Sequence, residues 1–140
     1  MARENVEIVR RAYEDGWYDK EPQHLFARMH PDAEFVNPPE AVEPGTRRGE
    51  AEIAKAFHGI EDGFDESRHE LRRLYGTGDV VVADVLFVAR SGGSKIDVVQ
   101  DEAHTWTFRE GKIARFEWGR NLAVALEAAG LGRCALDEND

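Results

Sequence analysis

The sequence predicts a single α+β domain: helices first, a four-strand antiparallel meander next, and one short closing helix. Three observations predict it. Up to about residue 60 the apolar residues recur at helical spacing. From Ser67 the period changes to two. The breaks between the period-two runs, Gly76-Thr77-Gly78-Asp79, Ser91-Gly92-Gly93-Ser94 and Glu110-Gly111, are turn chemistry. Helices followed by consecutive strands make an α+β pattern rather than a parallel α/β one.

The elements follow in order. Asn5 to Trp17 reads as a helix with Val6, Val9, Tyr13 and Trp17 on one face. Pro22 suits the first turn of a second short helix that turns Leu25, Phe26 and Met29 inward, and His30-Pro31-Asp32 ends it. Ala33 to Asn37 is a short extended piece stopped by Pro38-Pro39, and a loop runs from there to Arg48. Glu50 to Ile60 is a third helix, with Ile53, Ala54, Phe57 and Ile60 as its apolar face. Ser67–Tyr75, Val80–Arg90, Ile96–Arg109 and Lys112–Gly119 are the four strands. Asn121 caps a last helix striped by Leu122, Ala125, Leu126 and Ala129, and Gly130 closes it with Leu131 packing back. Residues after Gly132 read as a flexible tail. Strand Val80–Arg90 is apolar on both faces, which predicts that both are covered: one by the domain's helices, the other by a second subunit, the alternative being a buried central strand in a monomer.

Composition narrows the function classes. At 140 residues, 41% of them apolar, the chain suits one folded domain with its own core. No apolar run approaches the roughly 20 residues of a membrane span. Met-Ala-Arg-Glu-Asn at the start has no apolar segment of the kind a secretory signal carries. A single cysteine, Cys134, excludes an intrachain disulfide and suits the cytoplasm. A net charge of −10 disfavours nucleic acid, whose phosphates need a basic face. No repeat, linker or low-complexity stretch divides the chain.

Four segments carry a family resemblance: Glu4-Asn5-Val6-Glu7-Ile8-Val9-Arg10-Arg11-Ala12-Tyr13, Pro31-Asp32-Ala33-Glu34-Phe35, Ala103-His104-Thr105-Trp106-Thr107-Phe108-Arg109-Glu110-Gly111-Lys112-Ile113, and Ala125-Leu126-Glu127-Ala128-Ala129-Gly130-Leu131. In this order and spacing they resemble the nuclear transport factor 2-like (cystatin-like) superfamily and are most similar to its SnoaL-like branch, over roughly residues 4–131. The resemblance implies a cone-shaped curved antiparallel sheet wrapped by N-terminal helices around one small-molecule pocket. The domain is placed at 1–131, with 132–140 as tail. Ketosteroid isomerases, polyketide cyclases, epoxide hydrolases, dehydratases and non-catalytic binding modules share this fold, so the fold alone does not settle function.

In the resemblance to ketosteroid isomerases, Tyr13 matches a helix-borne tyrosine, Asn37 a carboxylate base and His104 a strand acid. Tyr13, in mid-stripe, is either a pocket donor to an oxyanion or a core tyrosine with its tip satisfied. Asn37 departs from the pattern: an amide is no general base, though it can orient a carbonyl, and it also suits a turn before proline. His104 shares a strand face with Trp106 and Phe108, where an imidazole serves as acid or base or is a satisfied core residue.

Asp84 interrupts an apolar face, and it either pairs with His104 or sits at a subunit interface. In the epoxide hydrolase branch the matching strand carries an Arg-x-Asp pair. Val82 and Trp118 stand where that mechanism needs arginine and a second aspartate, which argues against it. Glu117 depends on one turn. A two-residue Glu110-Gly111 hairpin sets it opposite His104; a three-residue turn with a bulge sets Phe116 there instead. Asn37, Trp17, Phe35 and Phe57 are expected to line the pocket, together with Leu86, Glu102, Trp106 and Trp118. Alternation separates Asp101 from Glu102 and His104, and no metal-ligand spacing is present, so neither metal nor cofactor is expected.

These residues fit a cofactor-independent lyase, isomerase or cyclase that moves a proton next to a carbonyl of a small apolar substrate. His104 moves the proton, and Tyr13 and Asn37 hold the oxyanion. A non-catalytic ligand-binding module and a dimerisation domain are the competing readings. An open, partly polar cavity separates the first two from the third.

Overall fold

A computed structural model describes residues 2–39, 41, 44–62, 66–90 and 97–131. The elements are α1 (Ala2–Glu14), α2 (Gln23–Phe26), β1 (Met29–Asn37), β2 (Gly45–Arg48), α3 (Glu50–Asp62), β3 (Glu66–Thr77), β4 (Val80–Arg90), β5 (Asp97–Arg109), β6 (Lys112–Gly119) and α4 (Leu122–Ala128). The six strands form one sheet in the order β2-β1-β6-β5-β4-β3. The expected meander is β3 to β6, antiparallel throughout. β1 joins β6 in parallel, so the sheet is mixed rather than purely antiparallel. The curved sheet wrapped by N-terminal helices is the expected architecture. The expected tail at 132–140 and the Ser91–Ser94 turn lie outside the described residues.

α1 packs Val6, Val9, Ala12 and Tyr13 against the sheet. It stops before Trp17 because Gly16 takes φ 78°, a left-handed conformation that ends the helix. Trp17 and Tyr18 are nonetheless buried, carried inward by the turn. β1 begins at Met29, four residues before the expected Ala33. Pro31 lies where its pairing with β6 skips from Met29↔Ile113 to Glu34↔Arg115, so no ladder bond is asked of it. β2 is an addition to the sequence reading. Gly-Thr-Arg-Arg has no apolar alternation, and it is a strand because β1 supplies the partner.

Two irregularities set which side chains face inward. Between Leu71 and Arg73 the pairing with β4 shifts by one residue. Leu71 and Leu74 can therefore both face the helices although they are three apart. The second irregularity corrects the Glu117 expectation. Glu110 and Gly111 form a two-residue turn with φ 55° and 78°, and Arg109 stands opposite Lys112. Ala114 is then an extra residue, because Phe108 pairs with Ile113 and Thr107 with Arg115. The bulge shifts everything beyond it, so His104 faces Trp118 and Glu117 faces Thr105. Neither expected register holds.

α4 closes the chain as expected. The Asn121 side chain accepts from Val124 N at 3.1 Å, and Leu131 N reaches back to Leu126 O at 2.8 Å beside Gly130 at φ 78°. α4 lies over the outer face of β4 and β5 and leaves a groove of about 340 Å³ lined by Val80, Thr105 and Ala125 among others. No described helix is long and apolar enough to cross a membrane.

Candidate functional site

The inner face of the sheet carries a cluster of buried titratable side chains at one place. β3, β4 and β5 run antiparallel there, with His69 opposite Phe87 and His104 opposite Ala83. Glu102 lies one period before His104 on β5, so both turn inward. Tyr13 comes from α1, and Tyr18 and Asp19 from the turn after it. All this polar chemistry is under cover: His104 is 0% exposed, His69 6% and Glu102 7%.

The buried groups satisfy one another in a chain. Trp106 Nε1 donates to the Tyr13 hydroxyl at 3.0 Å, and that hydroxyl lies 2.6 Å from His104 Nδ1. His104 Nε2 is 2.7 Å from Glu102 Oε1, and Gln100 Nε2 donates to Glu102 Oε2 at 2.7 Å. His69 Nε2 lies 3.7 Å from Glu102 Oε1, beyond hydrogen-bond reach. On its other side, His69 Nδ1 is 2.6 Å from Asp19 Oδ1, and its backbone N donates to Asp19 Oδ2 at 2.8 Å.

Ionisation assigns the protons. Burial would raise the Glu102 carboxyl. The His104 N–H, favourable electrostatics from the His104 and His69 rings and the Gln100 amide outweigh it and hold Glu102 below its ordinary value. Burial pushes His104 down, with Glu102 opposing, so the imidazole is neutral near pH 7. A neutral ring beside a carboxylate carries its hydrogen on Nε2 and donates it to Glu102. Nδ1 then accepts from Tyr13. Burial also pushes the Tyr13 hydroxyl well above its ordinary range; Trp106 opposes this, while Glu102 and Asp19 add to it. Tyr18 is raised in the same way, by burial first. Both phenols stay protonated.

The surrounding walls are aromatic. Tyr18 stacks on His104 at 5.4 Å and meets His69 edge-on at 4.6 Å, and Phe116 and Phe87 close the other sides. Tyr18 and Asp19 also form the inner wall of a cavity of about 360 Å³, completed by Pro22, Gln23, Phe26, Phe57 and Lys20. The cavity is thus one side chain away from His69.

The expected site residues divide accordingly. Tyr13, Glu102, His104 and Trp106 come together in the chain. Phe57 lines the cavity, and Phe35 packs behind it at 5.5 Å. Trp118 donates to Asn37 Oδ1 at 2.6 Å, so these two form a pair of their own. Trp17 is taken up in a stack with His24 at 5.5 Å, with the Arg28 guanidinium over its face at 4.3 Å.

Asp84, Leu86 and Glu117 lie elsewhere. Asp84 pairs with Ala103 on the outer face and accepts from Arg72 at 2.7 Å; Arg72 also meets Asp101 at 2.8 Å. It does not orient His104, because strand alternation turns the two to opposite faces. Leu86 shares that outer face, opposite Asp101. Glu117 lines the groove under α4, with Arg115 at 3.5 Å.

Sequence reasoning missed Asp19, His69, Tyr18 and Gln100. His69 carried a usable signal, since it alternates inward with Leu71. Asp19 carried none, because its place depends on how the turn after α1 folds back.

Comparison with known proteins places the chain. Residues 9–116 match the sequence profile of the SnoaL-like domain. A search of curated protein sequences gives no match. Among solved structures, TerC co-crystallized with polyporic acid is 27% identical, with a TM-score of 0.72 over 89% of this chain and 96% of that one. An NTF2-like protein from Burkholderia thailandensis E264 is 21% identical, with a TM-score of 0.72 over 92% and 98%. A protein with a ketosteroid isomerase-like fold from Catenulispora acidiphila DSM 44928, in complex with trimethylamine, is 18% identical, with a TM-score of 0.70 over 89% and 92%. The last two likenesses are of fold.

Proposed function

The chain belongs to the family of SnoaL-like domains, and from that premise we propose that it is an acid–base enzyme of the lyase, isomerase or cyclase type. It moves a proton next to a carbonyl of a small, apolar, aromatic substrate. The observation that carries this is the Asp19–His69 pair, in which Asp19 lines the cavity and His69 lies directly behind it. Asp19 holds His69 through both carboxylate oxygens, 2.6 Å to Nδ1 and 2.8 Å to the backbone N. Asp19 thus fixes the ring through Nδ1, and Nε2 faces Glu102 Oε1 at 3.7 Å, outside hydrogen-bond reach.

His69, rather than the His104 expected from sequence, is the proton carrier in this reading. Both His104 nitrogens are committed, to Tyr13 and to Glu102. Tyr13, His104 and Glu102 are positioning residues: they keep an anionic carboxylate beside His69, where it stabilises the imidazolium that forms. Tyr18 lines the cavity and burial keeps its hydroxyl protonated, which makes it the donor for the developing oxyanion in this reading. Tyr18, Phe26 and Phe57 supply flat apolar walls, and about 360 Å³ suits a molecule of one or two rings. The co-crystallization of TerC with polyporic acid supports an aromatic, oxygenated ligand. A homodimer through the outer sheet face belongs to the same proposal, supported by Val99 at 64% exposed on β5.

One observation favours a non-catalytic ligand-binding module instead. Asn37, where the ketosteroid isomerase resemblance places a base, is an amide already engaged by Trp118. A thermal-shift screen against small ketones, polyketide-like aromatics, steroids and fatty acids separates the two, run on wild type and His69→Ala, with hits followed for turnover by mass spectrometry. A ligand that both proteins bind and only wild type converts supports the enzyme. A ligand that both bind and neither converts supports the module.

A further inference from the structure

We propose that His69, Glu102 and His104 form a binding site for a zinc-class divalent transition-metal ion. One ligand-type atom from each of His69, Glu102 and His104 lies within 4.8 Å of the other two, and the residues converge from β3 and β5. Glu102 Oε1 is 2.7 Å from His104 Nε2 and 3.7 Å from His69 Nε2. Two ligands on one ion, each bonded at about 2.0–2.2 Å, stand roughly 3.3–3.6 Å apart at a tetrahedral angle. The first distance must open by less than about 1 Å and the second close slightly, shifts within reach of side-chain rotation.

The more specific observation is on the far side of each ligand. His69 Nδ1 is held by Asp19 at 2.6 Å, His104 Nδ1 by the Tyr13 hydroxyl at 2.6 Å, and Glu102 Oε2 by Gln100 at 2.7 Å. Every ligand thus has its outer atom fixed and its inner atom turned to one point. Metal-binding imidazoles and carboxylates need such outer partners to fix ring orientation and tautomer. Charge agrees. Glu102 and Asp19 bring two largely buried carboxyl groups to the cluster, and a divalent ion offsets the charge they carry.

Two nitrogens and one oxygen suit Zn2+ and its neighbours rather than Mg2+ or Ca2+, and three protein ligands leave a fourth position open. Binding moves the His104 hydrogen from Nε2 to Nδ1, where it is donated to the Tyr13 oxygen. That oxygen has two lone pairs and uses one for Trp106. Nothing in the sequence announces this site, because its ligands are spaced as 69, 102 and 104 and meet only through strand pairing.

The ion takes the same His69 Nε2 that the acid–base reading uses, so metal binding and turnover by chelator-treated protein are separate properties. The test is isothermal titration of the chelator-treated full chain with Zn2+, repeated with Co2+ read by its visible absorption. His24→Ala/His30→Ala/His58→Ala/Cys134→Ala, which removes the remaining histidines and the cysteine, serves as background. One Zn2+ per chain is expected, with a Co2+ band typical of a four- or five-coordinate site. Because His104→Ala can fail to fold, the decisive variants are His69→Gln and Gln100→Ala, each checked by circular dichroism. His69→Gln is expected to weaken binding at least about 100-fold, and Gln100→Ala about 10-fold. No saturable binding, or binding that folded His69→Gln retains in full, overturns the proposal.

Discussion

Replacing Tyr13 by Phe removes one oxygen and exposes how the buried chain is held. The ring contacts survive, since Phe keeps the stack on Tyr18 at 5.6 Å and the edge contact with Trp106 at 6.1 Å. The hydroxyl does not, and two fully buried groups lose their partner together: the Trp106 indole N–H and His104 Nδ1. Each buried polar group left unsatisfied costs about 1–3 kcal/mol, so Tyr13→Phe is expected to lose about 2–6 kcal/mol. At about 3 °C per kcal/mol for a chain of this length, Tm falls by roughly 6–18 °C. Urea denaturation followed by far-UV circular dichroism measures the loss directly, with an unchanged m-value showing that the same surface unfolds. Tyr75→Phe, outside the chain, serves as control and should move stability by less than about 0.5 kcal/mol. A cycle with Trp106→Phe should show a coupling of at least about 1 kcal/mol. A loss below about 1 kcal/mol for Tyr13→Phe would refute the chain as a source of stability.

Three more outcomes follow from particular residues. His104 is depressed below its ordinary value of 6.5 in the folded state, so the unfolded chain takes up its proton first. Its stabilising contribution is complete above about pH 6.5 and is lost as pH falls from there toward the folded value. Glu102, held below 4.5, adds a second loss beginning near that pH, and thermal melts from about pH 8 down to about pH 2 should show both stages, with His104→Gln lacking the first. Asn37→Asp should keep Tm within a few degrees, because a carboxylate oxygen accepts the same Trp118 N–H; Asn37→Leu should lose about 1–3 kcal/mol by chemical denaturation. Gly111, at φ 78° with open space around it, should lose about 1–2 kcal/mol as Ala. Gly119→Ala, with the same space and no left-handed backbone, should be close to neutral in the same melt.

The elements were readable where the pattern is local. The Val80–Arg90 and Lys112–Gly119 strands, the Asn121 cap and the Gly130 closure follow from alternation and capping chemistry within a few residues. Elements made by a distant partner were not. β2 has no pattern of its own, and β1 runs through Pro31 because its ladder skips there. The site divides in the same way. Glu102, His104 and Trp106 share a strand face, so the two-residue period unites them, and the helical stripe brings Tyr13 inward. Glu117 was lost to a single bulge at Ala114, whose small side chain gives no sign of it. Asp19 and His69, 50 residues apart, meet only because the turn after α1 folds back over β3.

In the proposed reaction His69, oriented by Asp19, moves a proton beside a bound carbonyl. The most direct measurement is hydrogen–deuterium exchange at the carbon next to that carbonyl, followed by proton NMR in D2O with a ligand from the thermal-shift screen. Wild type, His69→Ala and Asp19→Asn are compared after chelator treatment. Wild type is expected to catalyse exchange, His69→Ala to bind the ligand but exchange it about 10²–10⁴-fold more slowly, and Asp19→Asn to fall between them. Exchange by His69→Ala at the wild-type rate, or a ligand bound at the wild-type site that never exchanges, would contradict the proposed reaction.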